Sequence, residues 1–144
     1  MTRNIYHQEQ HRINTQGRSS IELSHKLQIA VESASVISGL CHVFIHHTSA
    51  SLMVCENAAA EVRDDLENFF SRLIPDGDPL FSHTDEGADD MPAHIRSVLT
   101  QTELSIPIIA GRLALGTWQG VYLWEHRTSP HLREISITIH GLGG

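Results

Sequence analysis

Residues 41–56 read CHVFIHHTSASLMVCE, and their alternation decides the fold class. Cys41, Val43 and Ile45 alternate with His42, Phe44 and His46, the period-two pattern of a half-buried strand. If Val43 and Ile45 face the core, His47 points inward at the strand end. Residues 48–51, TSAS, form a turn or bulge, and 52–56, LMVCE, resume as a strand. If the two segments pair as a hairpin, Cys41 and Cys55 do not lie opposite each other. Both are read as free thiols of a reducing compartment.

Working outward, residues 3–14 and 21–23 read as extended, with a turn at 16–20. Ser24 is placed to cap a helix over 25–36, with Leu27, Val31, Ala34 and Ile37 roughly on one face and Gly39 ending it. Asn57 is placed to cap a second helix over 58–73. Its buried stripe is Val62, Leu66, Phe69, Phe70 and Leu73. Asp90 is placed to cap a short helix through Leu99, with Pro92 tolerated in the first turn. Strands are expected near 102–108, 112–116, 119–126 and 132–140. In the last of these, Ile135, Ile137 and Ile139 share one face. The order of elements predicts one α+β domain over 1–144: a mostly antiparallel sheet or flattened barrel with about three helices.

Composition narrows the function. The net charge is -7, from 17 acidic and 10 basic residues, which argues against nucleic-acid binding. No apolar run approaches the roughly 20 residues that span a bilayer. The first residues, MTRNIYHQEQHR, lack the apolar core of a signal peptide. The expected location is therefore cytoplasmic, with no membrane partner. Histidine is abundant at 11 residues, against the single lysine Lys26. Imidazole is the commonest metal ligand and titrates near neutral pH.

Standard catalytic motifs are absent, so a site must be assembled from distant segments. The segment 83–94, HTDEGADDMPAH, sets four carboxylates between two histidines. His47, His83 and His94 around one open position would suit a zinc-like divalent ion, with neighbouring carboxylates orienting the imidazoles. Magnesium or manganese would fit less well. Asp90 and His94 are four apart and share a helix face. Of the acidic residues, Asp89 or Asp90 is expected to support the site, and Asp85 and Glu86 to be solvated. Glu56, Asp90 and His126 are the candidate acid–base groups. His126 ends a strand as His47 does, within reach of the same pocket. Asn57 and the Trp118–Gln119 pair between two glycines are candidates for substrate contact. Arg127 and Arg112 are candidates for binding a phosphate or carboxylate.

Three blocks, HHTSASLMVCEN, DEGADDMPAHIRSVL and LSIPIIAGRLALGTWQGVYLWEHR, resemble the YjbQ family in sequence and order. The resemblance covers nearly the whole chain. It implies an α+β subunit in a homotrimer, with sites at or near subunit boundaries. It also implies His47, His83 and His94 as site histidines, with Thr48 and Ser49 beside the substrate. Ser49 replaces the second threonine of the family's HTTAS block, and Arg96 replaces the lysine of its AHIK block. The activity implied is a secondary thiamine-phosphate synthase: a pyrimidine methyl diphosphate joined to a thiazole phosphate with loss of pyrophosphate. The scarcity of basic residues makes a weak, secondary activity the expectation, with another native small-molecule substrate. The alternatives are a metal-assisted hydrolase of a small phosphorylated substrate, and a non-catalytic metal- or metabolite-binding module.

Overall fold

A computed structural model describes residues 1–144. Eleven elements follow in the order β1 (Arg3–Gln16), β2 (Ser19–Glu22), α1 (Ser24–Ala34), β3 (Ser38–Ile45), β4 (Ala50–Glu56), α2 (Ala60–Leu73), α3 (Asp90–Leu99), β5 (Glu103–Ile109), β6 (Arg112–Leu113), β7 (Gln119–Glu125) and β8 (Pro130–Gly143). The strands form two antiparallel sheets, β1-β8-β3-β5-β6 and β2-β7-β4. The α+β class with three helices is therefore what the sequence implies. No helix is long and apolar enough to cross a membrane.

The period-two alternation explains the layers. Cys41, Val43 and Ile45 of β3 and Ile135, Ile137 and Ile139 of β8 form one inner wall. Ala50 and Leu52 of β4, Val121 and Leu123 of β7, and Leu27, Ala30, Val31 and Ala34 of α1 close over it. β7 is buried on both faces, because Tyr122 and Trp124 pack with Met53 under Leu66 and Phe70 of α2.

Several local expectations change. β3 and β4 do not form a hairpin: they belong to different sheets, and the 46–49 segment crosses between them. Ser24 opens α1 without capping it. Its Oγ instead accepts from Val121 N–H at 2.9 Å, tying the helix to β7. α1 ends at Ala34 on the left-handed Ser35, well before Gly39. α2 begins at Ala60, after Ala59 rather than Asn57, and none of its residues is fully buried. Phe69, Leu73 and Val62 face outward, so the five-residue stripe reduces to Leu66 and Phe70.

Candidate metal centre

α3 puts its first residue, Asp90, and His94 on one face, and the 83–89 loop returns His83 to the same point. His83 Nε2 is 2.8 Å from Asp90 Oδ2, and His94 Nε2 is 3.2 Å from the same oxygen. One ligand atom from each of the three lies within 4.8 Å of the other two. Asp90 is almost fully buried, whereas the histidines are accessible.

The surroundings fix these groups. His94 Nδ1–H donates to the Thr48 carbonyl at 2.9 Å. In the neutral ring that bond leaves the Nε2 lone pair facing Asp90 and His83. Arg127 NH1 holds Asp90 Oδ1 at 3.0 Å, so Oδ2 alone faces the imidazoles. Arg127 Nε donates to Asp89 Oδ2 at 2.9 Å, and Thr128 N–H donates to the same atom. Burial works to raise the Asp89 carboxyl, but these donors and the guanidinium charge hold it at about 2. Burial likewise opposes ionisation of Asp90, yet His83, His94 and Arg127 keep its carboxyl below the ordinary range. Asp85 and Glu86 are solvent-exposed.

Under this cluster runs a buried ionic layer. Glu125 accepts from Arg133 Nε at 2.8 Å, from Thr15 Oγ1 at 2.6 Å and from Arg127 N–H at 3.1 Å. The Arg133 guanidinium also donates to the carbonyl and hydroxyl of Ser49. Ser49 is thereby anchored to the core, and Thr48, whose carbonyl orients His94, is its neighbour. Nothing in the primary structure joined Arg133 to this segment; the β3–β8 pairing does.

The expected site residues divide into three places. His83, Asp90 and His94 form the cluster just described. His47 stands apart from it, because its Nε2 accepts the Glu134 N–H at 2.8 Å. His47, Thr48 and His94 instead line an open pocket of about 570 Å³. Ser49 is buried on Arg133, away from that pocket. His126 does not reach the pocket at all. It is wholly buried, with Nε2 2.8 Å from Ser51 Oγ and its ring against Trp124. Burial, with the charges of Arg96, Arg18 and Arg133, pushes its pKa down to about 3. Strand β7 ends one residue earlier than expected, and His126 falls on the face that α2 and α3 cover. Arg127 is not a free cation for a phosphate, since Asp89 and Asp90 occupy it. Arg112, on the short strand β6, lies outside both pockets that border the cluster.

Glu56, Asn57, Trp118 and Gln119 form the third place. Glu56 pairs with Gln119 at one end of the β4–β7 ladder, and Ala50 pairs with Glu125 at the other. Six residue steps separate these ends, about 20 Å. Glu56 Oε2 accepts Ala59 N–H at 2.7 Å just ahead of α2, which has no side-chain cap from Asn57 or any other residue. Gln119 folds back to accept Gly116 N–H at 2.7 Å, and Trp118 is largely exposed.

The family of UPF0047 protein YjbQ-like sequences matches residues 9–142. The chain belongs to the YjbQ-like UPF0047 family. The UPF0047 protein sll1880 of Synechocystis sp. is 53% identical over 135 residues, covering 94% of this chain and 92% of that protein. The UPF0047 protein YjbQ of Escherichia coli O157:H7 is 48% identical over 103 residues, covering 72% of this chain and 74% of its own. Among solved structures, a YjbQ/UPF0047 protein from Clostridium acetobutylicum superposes with a TM-score of 0.83 at 28% identity, covering 91% of this chain and 98% of that one. The conserved hypothetical protein TT1486 of Thermus thermophilus gives 0.80 at 31% identity, covering 90% and 97%. Both share the fold of this chain over nearly its whole length.

Proposed function

We propose that this YjbQ-like chain is a metal-dependent enzyme acting on a small molecule, with a divalent ion held by His83, Asp90 and His94. The observation that carries this reading is the committed Nδ1–H of His94. Its bond to Thr48 leaves two imidazole nitrogens and one carboxylate oxygen facing one another. Two imidazoles with one carboxylate and open positions suit zinc, iron or manganese better than magnesium. Such an ion supplies a Lewis acid that polarises a bound oxygen. The chain's own groups keep the ligands ready: Arg127 occupies the second oxygen of Asp90, and Asp89 holds Arg127.

Metal-assisted hydrolysis is the reaction class favoured here. The thiamine-phosphate synthase-like transfer implied by family resemblance needs a diphosphate cradle, and neither pocket beside the cluster is lined by lysine or arginine. A homotrimer is proposed as the assembly. It would bring the Glu56–Trp118 end of one subunit toward the histidine end of another, a meeting that a single chain does not provide. The test is reconstitution of chelator-treated protein with zinc, manganese or magnesium, followed by calorimetric titration and a screen of esters, amides and phosphate esters. Tight binding of a zinc-like ion with metal-dependent turnover is expected. Absence of binding by all three ions overturns the reading. Light scattering giving three times the chain mass supports the assembly, and a monomer refutes it.

A further inference from the structure

His47 has a different job from the ligand role expected of it. Its Nε2 accepts a main-chain N–H, from Glu134, at 2.8 Å. An accepting ring nitrogen carries the lone pair, so the proton of the neutral ring sits on Nδ1. Burial, with the charge of Arg133, lowers the pKa of His47, which favours that neutral form. Nδ1 has no partner within the chain and is not enclosed by it.

The pocket that His47 lines is mixed in character. Phe44, Ile45 and Val98 give it apolar walls, and Thr48 and Ser97 give it hydroxyls. His94 forms part of the same wall and connects it to the cluster. No lysine or arginine lines it, and the guanidiniums beneath are taken, Arg127 by Asp89 and Asp90 and Arg133 by Glu125. With no ion on His94, an anionic headgroup entering this pocket would lose water without meeting a fixed positive charge. An uncharged acceptor loses less and gains a hydrogen bond.

We propose that His47 is a fixed, neutral hydrogen-bond donor, and that the pocket takes an uncharged carbonyl compound, an amide or ester, whose oxygen accepts from His47 Nδ1–H. This deepens the metal-enzyme reading by naming the substrate class, and it rests on that reading only through the adjacency of His94. A neutral donor in a pocket wall holds a carbonyl oxygen and cannot take up a proton while Glu134 occupies its lone pair. His47 is thus a substrate-positioning residue.

The test uses the full chain, labelled with nitrogen-15, with and without zinc, and benzamide and phenyl phosphate as probes. Imidazole nitrogen spectra are expected to show His47 protonated on Nδ1 and bare on Nε2, with neither nitrogen moved into the metal-coordinated range by zinc. Benzamide is expected to shift the Nδ1 signal in both states, and phenyl phosphate to leave it in place when zinc is absent. His47→Ala should weaken benzamide binding about five- to tenfold, the worth of one neutral hydrogen bond. His47→Gln, whose amide both accepts from Glu134 N–H and donates outward, should restore most of it and guards against simple misfolding. Zinc coordination at His47 would overturn the proposal. So would undiminished benzamide binding in folded His47→Ala, or metal-free binding of phenyl phosphate at His47 tighter than that of benzamide. Failure of zinc to bind anywhere refutes the metal reading separately, because the benzamide comparison is also made without it.

Discussion

Replacing Arg133 with methionine removes the guanidinium that neutralises Glu125 while keeping most of the side-chain volume. Glu125 is wholly buried and would keep only Thr15 Oγ1 and Arg127 N–H as donors. Breaking one side of a buried ion pair costs about 3–5 kcal/mol, because the remaining charge has no compensation. Removing both charges together costs far less, so Glu125→Gln combined with Arg133→Met should recover about 2 kcal/mol or more. Urea unfolding at fixed chain concentration reads both values, provided the slope is shared among variants. The pH dependence has a definite sign. Burial alone would raise the Glu125 carboxyl, but Arg133, Thr15 and Arg127 N–H outweigh it and lower its pKa in the folded chain. The stability it contributes is full above 4.5 and is lost as pH falls through the lowered folded value. In Arg133→Met burial is no longer outweighed, so the folded pKa of Glu125 should rise and the cost of the substitution should shrink as pH falls and the carboxylate takes up a proton. A single-variant cost below about 1 kcal/mol would mean that Glu125 is not confined in a dry core and that its charge needs no partner.

Further outcomes are open to measurement. Asp89→Asn leaves Arg127 without its second carboxylate and should loosen Asp90, weakening zinc affinity about 10-fold or more by calorimetry with little change in fold. His126 remains neutral in the folded chain down to about 3, whereas the unfolded chain protonates it near 6.5. This group therefore favours unfolding as pH falls between those values, by up to about 1.4 kcal/mol per unit. His126→Gln should flatten that slope in pH-dependent urea titrations. Gly39→Ala places a methyl group 2.2 Å from the His140 carbonyl oxygen on the paired strand. It should break the β3–β8 pairing there and lower the melting temperature by several degrees in circular dichroism.

The strands were legible in the sequence because alternation is a local signal. Residues 41–45 and 135–139 display it openly, and both lie on the inner wall. Which strands pair was not legible. Segments 40–47 and 52–56 are compatible with a hairpin, yet the chain crosses between sheets at 46–49, a choice made by long-range partners. The α2 stripe was overestimated because helical periodicity shows which face is apolar but not how much sheet lies beneath it. For the site, the four-residue spacing of Asp90 and His94 carried real information, since it fixes one helix face. The placement of His47 turned on a main-chain N–H of β8, and no spacing rule reports such a partner. His126 lies on the face of Tyr122 and Trp124 that the alternation assigns to it, but that face is covered by α2 and does not open to the pocket, which only the long-range packing decides. Arg127 was identified as a cation, but its carboxylate partners appear only once the 83–90 loop folds back on it.

In the proposed site, Asp90, His83 and His94 hold a divalent ion while His47 stands outside its coordination. Elemental analysis of zinc-reconstituted, desalted protein tests it, comparing wild type with His94→Ala and His47→Ala. Near one ion per chain is expected in wild type and in His47→Ala, and almost none in His94→Ala. Loss of the ion in His47→Ala, or its retention in His94→Ala, would contradict it.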